Sequence, residues 1–388
     1  MQSFPQGAQD IIDSEGAQTA ARKLEGAREL AVDVEADAMH AFRARLCFLQ
    51  VATDEEVLLF DTLQPGVEAS LLAPVMGDPD RTKFFHAAGG DLPYLAEAGV
   101  RVRGLFDTHR AATLLGWPKV GLADLARERL GVELPKEHQQ SDFSLRPLPP
   151  GMRDYIANDV RYLVELGRQV REETRKAGIL EEVLLDCQRM CDEAAARPEV
   201  GADFKPRLPK AGLTPAQMVL ANAIAQALHR KRLEWAEAEN VPMGRMLSNM
   251  AISDIAVKPP GNPRELAKAA GVRGAFVRSH GDEIIALVRE LLEKSRRGEL
   301  KPSEEQKGPK DANRRKREEA LKAWRAEKAT ARKVMPSVVL PNPVFDVLLS
   351  RPPANLDELR AVPYIGEKRV ELYGEDLLTL LAQHPVQG

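Results

Sequence analysis

Residues 30–40 read LAVDVEADAMH. Leu30, Ala31, Val32 and Val34 mark a β-strand, and Asp33, Glu35 and Asp37 recur at two-residue spacing, which places them on one face of such a strand. Ionised carboxylates buried without partners cost on the order of several kcal/mol each. The acidic face is therefore either exposed or compensated by cations. Asp37 falls where the strand should end and reads as a turn residue, which leaves Asp33 and Glu35 as the pair to explain.

Outward from this strand the chain alternates short apolar runs with turn-sized gaps. RLCFLQVAT (45–53) and EVLLFDT (56–62) flank the two-residue gap at 54–55, so with 29–35 they predict an antiparallel three-strand meander. KFFHA (83–87) predicts a fourth strand, followed by a helix from about residue 91 to 98, and VRGLFDT (102–108) a fifth. THRAATLLG and GLADLARERLG read as helices stopped at Gly116 and Gly131. Residues 151–178 carry a helical apolar period and read as one long helix. The expected fold is an α/β domain over 1–196, a mixed sheet with helices packed on it.

After a Pro- and Gly-rich linker (197–212) the pattern is all helical, with Thr214 as N-cap and Pro215 at the first helical position. A displacement of 93 residues lays 228–266 over 321–359 without a gap, with 13 identities in 39 positions, where chance gives about two or three. Arg232 recurs as Arg325, Leu247 as Leu340, and Pro259-Pro260 as Pro352-Pro353. Two copies of a small helical domain follow, over 213–297 and 313–388, separated by a polar linker (298–312).

Composition is that of an ordinary globular protein, 44% hydrophobic and 29% charged. No apolar run of about 18 residues predicts a membrane span. No basic region followed by an apolar core marks a secretory signal near the start. Three cysteines, Cys47, Cys187 and Cys191, build no disulfide framework. A cytoplasmic protein is expected. Charge is uneven: 1–170 holds 18 Lys and Arg against 26 Asp and Glu, while 210–297 holds 14 against 9 and 298–338 holds 12 against 7. Acidic clusters hold cations and basic surfaces hold polyanions, although solubility alone also favours basic helices.

Asp91 lies behind the small-residue turn HAAGG (86–90), and Tyr155 and Asp159 are four apart on a predicted helix, hence on one face. A helix beside the first strand could bring Asp159 to Asp33 and Glu35. Four converging acids repel one another, and divalent cations reverse the sign of that interaction. All-oxygen donors favour Mg²⁺ or Mn²⁺ over zinc. Each piece alone has a plainer reading: a solvated D-x-E strand edge, a helix N-cap at Asp91, an amphipathic helix with an exposed acid. The order and context of all four favour a metal site.

This set, Asp33-x-Glu35, Asp91 and Tyr155-x-x-x-Asp159, resembles the three motifs of the DEDDy 3′→5′ exonucleases, and within them the ribonuclease D family. VEADAMHAFRARLCFLQ, FFHAAGGDLPYL and SDFSLRPLPPGMRDYIANDVRYL look like its conserved segments, and the helical repeats resemble HRDC domains. The likeness extends over nearly all of 29–382. It departs from the family pattern at Phe143, where Trp is commoner, and at Gly89-Gly90, where Ser-Glu is commoner. The resemblance implies a ribonuclease H-like α/β catalytic domain followed by two HRDC domains. Asp33, Glu35, Asp91 and Asp159 would hold two divalent ions, Mg²⁺ or Mn²⁺, and Tyr155 would orient or deprotonate the attacking water. It implies trimming of structured RNA, such as transfer-RNA precursors, from the 3′ end, releasing nucleoside 5′-monophosphates. The HRDC domains would contact the nucleic acid, and a monomer away from membranes is expected. A DNA exonuclease and a non-catalytic nucleic-acid scaffold are the other readings.

The remaining polar residues of interest have structural expectations. His86 packs or contacts substrate, and His109 is structural. Asp107 caps the following helix. Trp235 and Trp324 are core residues of the repeats, while Trp117 is open to either packing or base stacking. Arg232 and Arg325 serve either internal ion pairs or phosphate contacts. The basic run RRKREE (314–319) reads equally as a solvated helix start.

Overall fold

The acidic stretch lies in the middle of a six-stranded mixed sheet. In the computed structural model, which describes residues 4–135, 137–138, 141–149, 151–196, 204–209, 212–301 and 311–386, the strands are β1 (Gln9–Ile11), β2 (Glu29–Ala36), β3 (Leu46–Ala52), β4 (Val57–Asp61), β5 (Thr82–Phe85) and β6 (Leu105–Asp107). Their order is β1-β4-β3-β2-β5-β6. β2–β3 and β3–β4 are antiparallel, as the meander predicts, whereas β5 runs parallel to β2, β6 to β5, and β1 to β4. β1 was not expected from the sequence. Its three residues QDI bury only Ile11, too little to leave a periodic signal.

The helices of this layer are α1 (Ser14–Leu24), α2 (Ala73–Gly77), α3 (Leu92–Glu97), α4 (Thr108–Leu114), α5 (Leu122–Leu130), α6 (Met152–Arg161), α7 (Leu163–Lys176) and α8 (Leu180–Ala195). The single helix expected over 151–178 is two. The backbone leaves helical geometry at Tyr162 (φ −104°, ψ −5°). The Tyr162 ring meets Phe4 edge-on at 4.9 Å, and Arg161 donates to the Pro5 carbonyl. The break lets α6 lie over β2, β3 and β4 while α7 lies over β2, β5 and β6. α7 comes close at Gly167, where a Cβ would stand 2.2 Å from the Phe84 ring. A straight helix could not follow both parts of a twisted sheet.

The helical repeats are α9 (Pro215–Ala238), α10 (Met243–Met246), α11 (Asn249–Val257), α12 (Pro263–Leu266) and α13 (Gly274–Arg296), then α14 (Arg314–Arg332), α15 (Pro336–Val339), α16 (Asn342–Ser350), α17 (Leu356–Arg360) and α18 (Glu367–Ala382). The starts of α15 to α18 are displaced from those of α10 to α13 by the same 93 residues that align the sequences. Thr214 caps α9 in a full capping box with Gln217. Arg232 donates to the Leu247 carbonyl (2.9 Å) and Asn249 (2.7 Å), and Arg325 makes the equivalent bonds to Leu340 (3.1 Å) and Asn342 (2.9 Å). The repeated arginine therefore ties the first helix of each copy to its third. Trp235 and Trp324 are buried in the two repeat cores, as expected. Trp117 carries the Arg129 guanidinium over its ring at 3.9 Å.

The chain divides into two compact units, one of Met1–Ala36, Leu46–Arg197 and Pro309–Gly388, the other of Asp37–Arg45 and Pro198–Gly308. Most of both expected linkers, 197–212 and 298–312, lies outside the described residues. In the first unit the second repeat packs on the α/β layer. Val338 joins the α/β core, and Glu182 of α8, 1% exposed, pairs with Arg332 (2.7 Å) and Lys368 (2.9 Å). In the second unit Asp37 is buried and accepts from the Arg45 backbone N–H (2.5 Å) and Nε (2.9 Å), which pins its turn. Phe42 packs against the core of the first repeat. Among the described residues no helix is long and apolar enough to cross a membrane, and the three cysteines are buried and form no disulfide.

Candidate active site

Strand alternation in β2 turns Asp33 and Glu35 to the same face, and α6 covers that face with Asp159. Oxygens of these three carboxylates lie within 4.8 Å of one another. The β2–β3 register shifts between Glu35 and Ala36, so regular pairing ends immediately after the second acid.

Asp91 reaches the same neighbourhood from the turn between β5 and α3. It occupies the N-cap position of α3, yet its side chain makes no capping bond. Its charge interacts with those of Asp33 and Asp159, but it stands outside the closest group of three. Asp107 holds its turn in place. Its Oδ2 accepts from Ala88 N–H (2.6 Å) and its Oδ1 from Arg110 N–H (2.7 Å), so it caps α4 as expected and anchors the Asp91 turn as well. Ala87 in that turn has φ +63°, a left-handed conformation unusual for a residue with a Cβ.

Tyr155 sits one turn before Asp159 and hydrogen-bonds to it. Its ring stacks on Phe143 (6.3 Å, 27°) and meets His138 edge-on (6.0 Å). Phe143 thus keeps an aromatic wall where the family more often has Trp. His86 is not among the clustered acids: its Nδ1 lies 2.9 Å from Thr108 Oγ1, and its ring packs edge-on against His109. Burial, with the nearby His109, pushes its pKa down to about 3, so it stays neutral. A polar lock missed in the sequence lies beside the site, where Arg146 binds Asp61 through Nε (2.6 Å) and a terminal nitrogen (2.5 Å) and lies over the Phe48 ring at 4.3 Å. Its only signal is a lone acid closing an apolar strand run.

Burial, reinforced by mutual repulsion, raises the pKa of Glu35 and Asp91. Asp33 is raised by burial, against a lowering backbone bond. Asp159 is raised by burial and by Asp33, against the Tyr155 bond. Among the described residues no Lys or Arg pairs with any of the four. An all-oxygen, electron-rich cluster with no protein cation fits a hard divalent metal ion, which would neutralise the repulsion and restore the ionised carboxylates.

Two family models match separate parts of the chain. A 3′-5′ exonuclease family model matches residues 9–175, and an HRDC domain model matches 221–288 and again 314–381. Ribonuclease D of Gluconacetobacter diazotrophicus is 31% identical over 249 residues, 64% of this chain and 62% of that protein. Ribonuclease D of Sphingobium indicum is 30% identical over 275 residues, 69% and 68% of the two chains. Exosome complex component 10 of Rattus norvegicus is 30% identical over 285 residues, but the match spans only 31% of its length. The crystal structure of Escherichia coli RNase D has the same fold, with a TM-score of 0.70 at 24% identity over 98% of this chain and 100% of that one. An exonuclease-type α/β layer followed by two HRDC domains, with this level of identity, places the chain in the ribonuclease D family.

Proposed function

We propose that this chain is a metal-dependent 3′→5′ exoribonuclease that trims the 3′ ends of structured RNA in the cytoplasm, transfer-RNA precursors among them. The observation that carries the reading is the convergence of Asp33, Glu35 and Asp159 within 4.8 Å, with no Lys or Arg among the described residues to offset them. The E. coli relative is described as an exoribonuclease involved in structured RNA processing, which supports RNA as the substrate class.

Asp33, Glu35, Asp91 and Asp159 would hold two Mg²⁺ or Mn²⁺ ions at the scissile phosphodiester. Bound there, the ions supply charge neutralisation at the phosphorus and at the attacking and leaving oxygens. The phenol of Tyr155 orients the attacking water. Burial and the charges of Asp159, Glu35 and Asp33 push its pKa above the ordinary tyrosine value, so it serves as a donor and positioner and does not take the proton. Water oxygen bonds to phosphorus, the bond from phosphorus to the 3′ oxygen of the preceding nucleotide breaks, and that oxygen gains a proton. One nucleoside 5′-monophosphate leaves and a new 3′ hydroxyl remains. The excess positive charge of 210–297 suits contacts to the RNA backbone.

The test is incubation of the purified monomeric or oligomeric protein with 3′-extended transfer RNA and a matched DNA strand, with Mg²⁺ or Mn²⁺ and with Asp33→Ala as control. Laddered shortening of the RNA from its 3′ end, absent in the variant, is expected. Preferred shortening of DNA would reassign the substrate, and binding without cleavage would reduce the chain to a scaffold.

A further inference from the structure

Gln50 lies on β3 directly opposite Asp33 of β2. Opposed residues on antiparallel strands share a face and bring their Cβ atoms to about 4.5–5.5 Å. Gln50 therefore projects onto the face that α6 covers and on which the carboxylates meet. It is 0% exposed, and among the described residues neither Nε2 nor Oε1 has a hydrogen-bond partner. Its same-face neighbours are apolar in the other directions: Phe48 and Ala52 along β3, and Leu59 opposite on β4. Of the two residues paired directly with Gln50, Asp33 and Leu59, only Asp33 is polar. A buried amide without partners destabilises the fold, and an apolar side chain of the same shape would serve the packing better. The strand otherwise reads LCFL-VA, so the amide is the exception in an apolar run.

We propose that Gln50 is a positioning residue of the carboxylate centre: when a divalent cation is held there, its Nε2–H donates to the Asp33 carboxylate and fixes that carboxylate in its ligating orientation. Metal-ligating carboxylates are commonly oriented by such outer hydrogen bonds. This rests on the metal site proposed above.

The test compares wild-type full-length protein with Gln50→Met and Gln50→Leu, using Mn²⁺ alone as the probe. Calorimetric titration gives the Mn²⁺ dissociation constant, and thermal unfolding without metal gives Tm. Removing an unpartnered amide should leave the metal-free Tm unchanged or raise it by about 2–4 °C. Removing the carboxylate's donor should weaken Mn²⁺ about 10–100-fold. An unchanged Mn²⁺ constant in both variants overturns the proposal and leaves the metal site standing. A drop of several degrees in the metal-free Tm of both variants also overturns it, because Gln50 would then serve the fold. Wild-type protein that takes up no Mn²⁺ overturns the metal site and this inference with it.

Discussion

Tyr155 and Asp159 stand one helical turn apart on α6, and the Tyr155 phenol hydrogen-bonds the Asp159 carboxylate. The bond joins the residue that would position the water to one that would hold the metal. Burial and three neighbouring acids keep the phenol protonated across the working pH range. Tyr155→Phe retains the ring that stacks on Phe143 and removes only the hydroxyl. Its expected effect is a fall in kcat of about 10²-fold with little change in Tm. The activity–pH profile of the wild type should show no limb from tyrosine ionisation between pH 6 and 9. Steady-state kinetics on a short RNA over that range checks both statements.

The clustered acids make metal-free stability depend on pH. Burial pushes Asp33 to about 7, and burial together with repulsion from neighbouring acids pushes Asp159 to about 8 and Glu35 to about 9, from ordinary values of 3.8, 3.8 and 4.5. The folded protein therefore binds more protons than the unfolded chain between about pH 4 and pH 9, and stability falls as pH rises through that window. Without metal, Tm should decline from pH 5 to pH 9, and Glu35→Gln should flatten the decline and raise Tm at pH 8. Mn²⁺ competes with protons for the same oxygens, so its stabilisation should be larger at pH 8 than at pH 5.5. Thermal melts at several pH values, with and without Mn²⁺, check the sign.

Glu182 has the opposite dependence. Burial raises its pKa, but hydrogen bonds from Lys368 and Arg332 outweigh burial and bring it below the usual value. A lowered carboxylate contributes stability that is present above pH 4.5 and is lost as the pH falls. Glu182→Ala leaves two partly exposed cations facing α8, so the cost is expected at about 1–3 kcal/mol, less than for a fully buried pair. The second repeat should become more susceptible to limited proteolysis at neutral pH, and wild-type protein should show the same change on acidification.

How much of this was legible before the structure depends on whether the signal was local. The period-two spacing of Asp33 and Glu35 carries through to the shared face of β2, and the 93-residue displacement carries through to the start positions of four helices. Asp107 also reads as a cap, because capping is a local bond. The break at Tyr162 left no mark, since the apolar period continues through Leu163 and Val164 on the far side. The association of the second repeat with the α/β layer depends on Glu182, which in sequence is one of two adjacent acids at a helix start and looks solvated. Gln50 is a single polar letter in an apolar run. Its meaning comes from the residue opposite it, which only the register supplies.

Asp107 supports the site through the backbone, so its effect should separate from that of the acids it serves. One oxygen accepts from Arg110 N–H and the other from Ala88 N–H. Asp107→Asn can keep only one of these bonds, because its amide nitrogen would face a second donor. The expected loss is about 1–3 kcal/mol for the buried donor left unpaired. The turn carrying Asp91 would lose its anchor, so Mn²⁺ affinity should fall with activity while the Asp33, Glu35 and Asp159 group remains. Asp91→Asn should reproduce the loss of affinity and activity without the loss of stability, because the Asp91 side chain makes no capping bond. Measuring Tm, the Mn²⁺ dissociation constant and kcat for both variants distinguishes an anchor from a ligand. Equal destabilisation by both substitutions would place Asp91 in the fold and outside the metal site.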